Sequence, residues 1–333
     1  MKQYFLLILL ICSLIGNSQD IYEYEKEISN KENYISTIIN FQNTDEDLKI
    51  SGTLLTPKTD FSKIVIIVPG SGKDTRYAHF ILADELLKNG IAVYRFDERG
   101  VGKSEGKYSR LAKDLSTDLS FSLKNLQQKY RSKKFGVIGH SLGGIATLEL
   151  IATNINFDFI ILIETPIIKN GAFILNQFKM DYVNSLSEKM RKGKAKNETL
   201  TFLAEYLQVI SNNTNAKSLK KEVKNHIKNK GFNNQFVFLL KDELLIELAK
   251  TNLEGNLKKS SIKTLYLSGT KDKIINHKEE ISLIESFNNS NIETHIFEGL
   301  NHYLSDRKET RNSSVYQMDE EPLSLIINWT LKN

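Results

Sequence analysis

Apolar and polar positions fall into blocks along most of the chain, and the block lengths decide the elements. Residues 63–68 (KIVIIV), 91–96 (IAVYRF), 134–138 (KFGVI), 157–163 (FDFIILI) and 262–267 (IKTLYL) are short apolar runs rich in β-branched side chains. Runs of this length with little alternation predict strands covered on both faces, as in a parallel sheet. Residues 77–88, 111–130, 145–152, 277–287 and 320–331 instead space their apolar positions as helices do, and the first stops at the C-cap signal Asn89-Gly90. Residues 34–41 and 48–55 are β-rich on either side of a polar stretch and predict a hairpin, while 292–297 predicts one more strand. Strands alternating with helices imply an α/β fold with a doubly wound, mostly parallel sheet.

One interval breaks the alternation. Residues 166–260 hold almost no β signal but helical patterns at 200–210, 217–230 and 236–253. This reads as a helical insertion into a core formed by 34–165 and 261–333. The interval carries 17 Lys+Arg against 9 Asp+Glu, which more than accounts for the net charge of +5. Its lysines are scattered over helical faces with few aromatics between them. A solvated face is the plain reading, and no nucleic-acid partner is expected. Hydrophobic content of 40% with 26% charged residues is that of a globular chain.

The N-terminus reads as separate from the fold. Met1-Lys2 supplies a positive charge, 4–15 is almost unbroken apolar, and Gly16-Asn17-Ser18 offers small residues at −3 and −1 before Gln19. That is the layout of a signal peptide over 1–18, and the run is short for a membrane span, so no stable span is expected after cleavage. Cys12 is the only cysteine, and Ile11 stands where a lipobox has a small residue, so lipid anchoring there is not expected. The mature chain then has neither disulfide nor thiol nucleophile, which suits export to a periplasm or the exterior. Residues 19–33 are charged and aperiodic, an extension or linker.

The candidate chemistry centres on Gly139-His140-Ser141-Leu142-Gly143-Gly144, between a predicted strand and a predicted helix. A G-x-S-x-G pentapeptide in that context builds a sharp turn that lifts the serine out of the sheet, and Gly139 and Gly143 leave room for it. The helix N-terminus behind it favours developing negative charge. A serine nucleophile needs a base, and the base needs an orienting acid. Of six histidines, His79 and His277 lie near helix starts, His226 lies in the basic insertion, His295 reads as packing within a strand, and His140 is expected to point away from the hydroxyl. His302 follows strand 292–297 in a loop and is the candidate base. Asp272 follows strand 262–267, is the only carboxylate of its loop, and precedes His302 by 30 residues. Ser141, Asp272 and His302 thus all sit beyond the carboxyl ends of predicted strands, where open α/β sheets gather their reactive groups. The oxyanion donors are then the backbone N–H of Leu142 and one from Pro69-Gly70-Ser71-Gly72, with Ser71 the candidate and Gly70 and Gly72 allowing close approach. Neither Gly70-Ser71-Gly72-Lys73 nor Gly100-Val101-Gly102-Lys103-Ser104 has the first glycine of a phosphate loop, and no Cys/His cluster suggests zinc.

VPGSG at 68–72, YRFDERGVGKSEG at 94–106, GHSLGG at 139–144, LSGTKDKII at 267–275 and EGLNH at 298–302 together resemble the α/β-hydrolase superfamily. Within it they resemble bacterial serine esterases and acyl hydrolases with a Pro-Gly-Ser-Gly loop. The resemblance spans about residue 48 to the C-terminus apart from the insertion. It implies Ser141 as nucleophile, His302 as base, Asp272 as acid, and Ser71 with Leu142 as oxyanion hole. It further implies that Asp97 and Arg99 buttress the loop near the site, that the insertion covers the site, and that no metal or organic cofactor takes part. Lys73-Asp74-Thr75-Arg76 matches the family pattern imperfectly, so no role follows for Asp74 or Arg76. The expected activity is hydrolysis of a small-molecule carboxylic ester through an acyl-enzyme, with an acidic or anionic acyl group to suit the basic cap. An exopeptidase or amidase of the same fold is the alternative enzyme, and a binding module on an inactive scaffold the alternative outside enzymes.

Overall fold

The computed structural model describes residues 22–153, 155–191, 193–306 and 316–333. The proposed leader over 1–18 lies outside the described residues. β1 (Tyr34–Asn43) and β2 (Leu48–Pro57) form the hairpin, followed by β3 (Lys63–Val68), α1 (Phe80–Lys88), β4 (Ala92–Phe96), α2 (Ala112–Lys129), β5 (Lys134–His140), α3 (Leu142–Ile151) and β6 (Phe159–Ile163). Then come α4 (Ala172–Met180), α5 (Tyr182–Ser185), α6 (Glu188–Arg191), α7 (Lys196–Asn212), α8 (Ala216–Asn229), α9 (Glu243–Lys250) and α10 (Glu254–Lys258). The chain returns through β7 (Lys263–Gly269), α11 (His277–Ser286), β8 (Ile292–Phe297) and α12 (Glu320–Lys332).

The eight strands form one sheet in the order β1-β2-β4-β3-β5-β6-β7-β8. β1 and β2 pair antiparallel, β2 pairs antiparallel with β4, and the strands from β4 to β8 run parallel. This is the α/β-hydrolase fold. The apolar runs divide their side chains between two faces, as a pleated strand must. Ile64, Ile66 and Val68 of β3 join α2, α3 and the insertion in one core, while Val65 and Ile67 join α1 and α12 in the other. β8 differs. It is the edge strand, and His295 on it is exposed beside Phe297 at 4.5 Å between ring centroids, so its role is not burial in the core.

Because β3 and β5 to β8 are parallel, residues 69–72, Ser141, Glu164, Asp272 and His302 all emerge at one edge of the sheet. The helices of 166–260 leave the sheet after β6 and continue the core on that face. In it Phe202 of α7 stacks on Phe232 at 3.9 Å and meets Phe236 edge-on at 4.9 Å. The helical pattern over 236–253 is split. Residues Asn234–Lys241 form a 3₁₀ helix, and Asp242 starts α9 afresh by accepting from the N–H groups of Leu244 and Leu245.

The stretch before β1 is no free linker. The Glu25 carboxylate is buried and accepts from the Thr75 N–H at 2.7 Å and its hydroxyl at 2.6 Å, while the Tyr24 hydroxyl donates to the Lys73 carbonyl. Residues 22–28 therefore clamp the loop that follows Gly72.

Candidate active site

Ser141 stands between the last residue of β5 and the first of α3, with φ 51° and ψ −115°. A non-glycine residue in that region is strained and persists only where its surroundings hold it. Here its N–H donates to the Ile163 carbonyl at 2.8 Å. A side chain at Gly143 would overlap the carbonyls of Val68 and Pro69, and one at Gly139 would meet the Gly143 carbonyl at 2.6 Å. The glycines thus let the turn pack directly on the end of β3, beside the Gly70-Ser71-Gly72 loop. Tyr108 fixes that loop from outside, donating to the Ser71 and Gly72 carbonyls at 2.7 and 2.6 Å. Leu142 opens α3, so its N–H is one of those a helix leaves unpaired at its start.

His302 and Asp272 are both buried, with Nδ1 of the imidazole 2.7 Å from Oδ2 of the carboxylate. A carboxylate there assigns the proton to Nδ1 and leaves Nε2 as a bare acceptor. The other Asp272 oxygen accepts from the N–H groups of Ile274 and Ile275 at 2.6 and 3.0 Å. Burial alone would raise the Asp272 pKa, but the His302 interaction, Glu164 and the Ile274 N–H together hold it below the usual carboxylate value. Ser141, Ser71 and His302 line one narrow cleft that is open to solvent. A second, smaller cleft meets it at Ser71, Ser141 and Ile274 and runs under the insertion. Its walls are mostly apolar, from Ile145, Phe173, Leu248 and Ile275, with the Gln177 amide among them. Among the described residues no lysine or arginine lines either cleft. Lys220, Lys224, Lys241 and Lys250 instead edge a separate groove on the insertion. The basic charge of 166–260 therefore does not face the site, which removes the reason for an anionic acyl group.

Sequence reasoning missed a second carboxyl behind Asp272. Glu164 follows β6 directly, is fully buried, and has φ 45°. It accepts from the Ser268 hydroxyl at 2.6 Å and from the Gly269 N–H, and it hydrogen-bonds Asp272. Burial first, then the Asp272 charge, push its pKa well above the ordinary value. Of two touching carboxyls, Glu164 thus keeps a proton and donates it to Asp272, which stays ionised. The signal in sequence was a lone carboxylate at a strand end. Glu164, Asp272 and His302 also bring donor atoms within 4.8 Å of one another, the spacing of a metal site. The Nδ1 proton of His302 and the shared carboxyl proton occupy the positions a cation would need, so these residues fit a proton-linked relay rather than a metal.

The buttressing residues divide. Asp97 accepts from the Arg76 guanidinium at 2.6 and 3.0 Å, from the Arg76 N–H and from the Lys103 N–H, so it ties the loop after Gly72 to the loop after β4. Arg76, to which the sequence assigned no role, is its buried partner. Arg99 instead reaches away from the clefts to Asp118, Glu46 and the Asp114 carbonyl. His140 does not simply point away. Its Nε2 meets the His302 carbonyl at 2.8 Å, its ring lies 4.8 Å from the His302 ring, and it lines the same cleft as Ser141. Asp74 lines that cleft too.

Residues 59–309, about three quarters of the chain, match the hydrolase family described as serine aminopeptidase, S33. The chain belongs to this family. No curated protein matches it in sequence. Among solved structures it is similar to the esterase Pf2001 of Pyrococcus furiosus, with TM-score 0.60 and 18% identity over 96% of this chain and 95% of that one. It is also similar to Est1E of Butyrivibrio proteoclasticus, solved with ferulic acid, at TM-score 0.55 and 14% identity over 88% and 98%. The acylaminoacyl peptidase of Pyrococcus horikoshii gives TM-score 0.53 and 12% identity over 90% of this chain and 41% of that one. At such identities these structures share the fold.

Proposed function

We propose that the protein is a serine hydrolase that cleaves carboxylic esters through an acyl-enzyme intermediate. The observation that carries this reading is the buried 2.7 Å contact between Asp272 and His302 Nδ1, with His302 and Ser141 opening into one cleft. Nε2 of His302 takes the Ser141 proton as the hydroxyl attacks the ester carbonyl. The oxyanion rests on the N–H groups of Leu142 and Ser71. His302 then gives its proton to the departing alcohol and later activates the water that releases the acid. Asp272 stays ionised, orients the imidazole and stabilises its cationic form. The side of the serine lined by His302 takes the alcohol, because that is where the leaving oxygen must be protonated. The apolar cleft beneath the insertion takes the acyl group.

The family description and the peptidase among the similar structures favour a second reading, an exopeptidase with the same triad. A panel of p-nitrophenyl esters and aminoacyl anilides separates the two. Ester turnover exceeding anilide turnover supports the first, and efficient anilide cleavage with inert esters overturns it. The composition of 1–18 supports export. A mature protein recovered outside the cytoplasm and starting near Gln19 is the expected result, and an intact Met1 terminus would contradict it.

A further inference from the structure

The cleft on the His302 side of Ser141 holds two buried polar atoms with no partner among the described residues: Nδ1 of His140 and Oδ2 of Asp74. Buried polar atoms in native proteins are nearly always satisfied, so a pair of orphans in one cleft points to a ligand that supplies the missing bonds. Both are built in. His140 Nε2 faces the His302 carbonyl, which can only accept, so Nε2 carries the proton and Nδ1 is a bare acceptor. Burial, then the neighbouring His302 and His79, hold this ring neutral. Asp74 is 1% exposed, and its Oδ1 accepts from the Tyr316 hydroxyl at 2.6 Å. The two glycines of the Gly70-Ser71-Gly72 loop leave the approach to these atoms free. A Cβ on Gly70 would stand 3.4 Å from His140 Nδ1, and one on Gly72 would stand 3.0 Å from Asp74 Oδ2.

We propose that Asp74 and His140 form an alcohol-side subsite for a neutral polyhydroxylated leaving group, a sugar or similar polyol, esterified to a short apolar acyl chain. The proposal rests on the ester reading above, since it uses the rule that the alcohol lies on the His302 side. Burial, then the Glu25 charge, push the Asp74 pKa up to about 8, so at neutral pH the carboxyl holds a proton. With Oδ1 already accepting from Tyr316, that proton sits on Oδ2 and points to a ligand oxygen. The cleft therefore presents one donor and one acceptor, the pairing that ligand hydroxyls match from both sides. An ammonium would meet a protonated carboxyl and a neutral imidazole. Tyr24, Tyr303 and Tyr316 wall the space, their rings 5.6 to 6.1 Å apart where they adjoin Tyr316.

The test compares three butyrates on the full-length mature protein: 6-O-butyrylglucose, cyclohexylmethyl butyrate, which has a similar shape without hydroxyls, and butyrylcholine. Wild-type kcat/KM is expected to favour the sugar ester over the cyclohexyl ester by about tenfold or more, since a site built for hydroxyls rejects analogues lacking them. Asp74→Leu is expected to bring that ratio close to one. Asp74→Asn is expected to keep it, because the amide still accepts from Tyr316 and donates into the cleft. The wild-type ratio decides the matter even if Asp74→Leu does not fold. Equal turnover of the sugar and cyclohexyl esters overturns the subsite and leaves ester hydrolysis standing. Butyrylcholine as the best substrate, with Asp74→Asn abolishing the preference, overturns it in favour of a cation site. No cleavage of any butyrate, or of p-nitrophenyl butyrate, overturns ester hydrolysis itself and the subsite with it.

Discussion

Glu164 shows what a single side chain adds to the site. Its proton lies between two carboxylate groups that would otherwise repel, and the Ser268 hydroxyl and Gly269 N–H fix its other contacts. Glu164→Gln keeps a donor for Asp272, so kcat on a p-nitrophenyl ester should stay within about tenfold of wild type. Glu164→Ala leaves two buried donors unpaired, at about 1–3 kcal/mol of folding stability each, and strips the donor to Asp272, which should lower kcat by ~10–100-fold, or about 1.4–2.7 kcal/mol of barrier. Circular dichroism checks that both variants fold. Wild-type activity in Glu164→Ala would show that the acid pair does not position His302. Ser141, Asp272 and His302 were legible because each follows an apolar run, and the order of the runs supplied the grouping. Glu164 follows such a run as well, in Ile163-Glu164-Thr165-Pro166, but pairing it with Asp272 requires knowing that β6 and β7 are neighbours. Asp74 and His140 were harder still. Their importance lies in bonds they do not make, which no sequence pattern displays.

At the scale of elements, strand ends were readable and their joints were not. The break at Asp242 was hidden because the apolar spacing continues across it, although an aspartate within a helical pattern is a cap signal. A second joint ties the insertion to the core. Glu280 on α11 is fully buried and accepts from the N–H groups of Ile167 and Ile168 at 2.9 and 3.3 Å, where the chain leaves β6 for the helices. Burial pushes its pKa up to about 8, with Glu279 and Glu254 adding to the effect. Below the unfolded value, near 4.5, both states hold the proton. As pH rises toward 8 only the folded state keeps it, so folding stability falls with pH, by at most about 1.4 kcal/mol per unit. Glu280→Gln has no such proton. Its denaturation midpoint relative to wild type should climb steadily between pH 5 and 8, and parallel curves would contradict the assignment.

For the whole molecule, hydrophobic periodicity carried the fold and charge misled. The excess of lysine in 166–260 suggested a basic site, yet no lysine or arginine among the described residues lines the clefts at Ser141, and Lys220, Lys224, Lys241 and Lys250 edge a separate groove. The charged stretch before β1 left an extension and a linker both open, and Glu25, among the buried groups that hold the loop after Gly72, favours the extension. Charge counts describe a segment, whereas the direction of each side chain depends on packing across the sheet. Among the described residues no helix is long and apolar enough to cross a membrane. What the molecule brings to one sheet edge is a strained serine, an imidazole with its proton fixed on the far nitrogen, and a carboxylate held ionised by a second acid. The central claim is that Ser141 is the nucleophile of this assembly. Labelling folded protein with a fluorophosphonate, mapping the adduct by mass spectrometry and following p-nitrophenyl butyrate hydrolysis in the same sample tests it most directly. One adduct is expected, on Ser141, formed in step with the loss of activity and missing from Ser141→Ala, whose kcat falls by about 10⁴ or more. Activity that survives in Ser141→Ala, or an inactivating adduct on another residue, would contradict it.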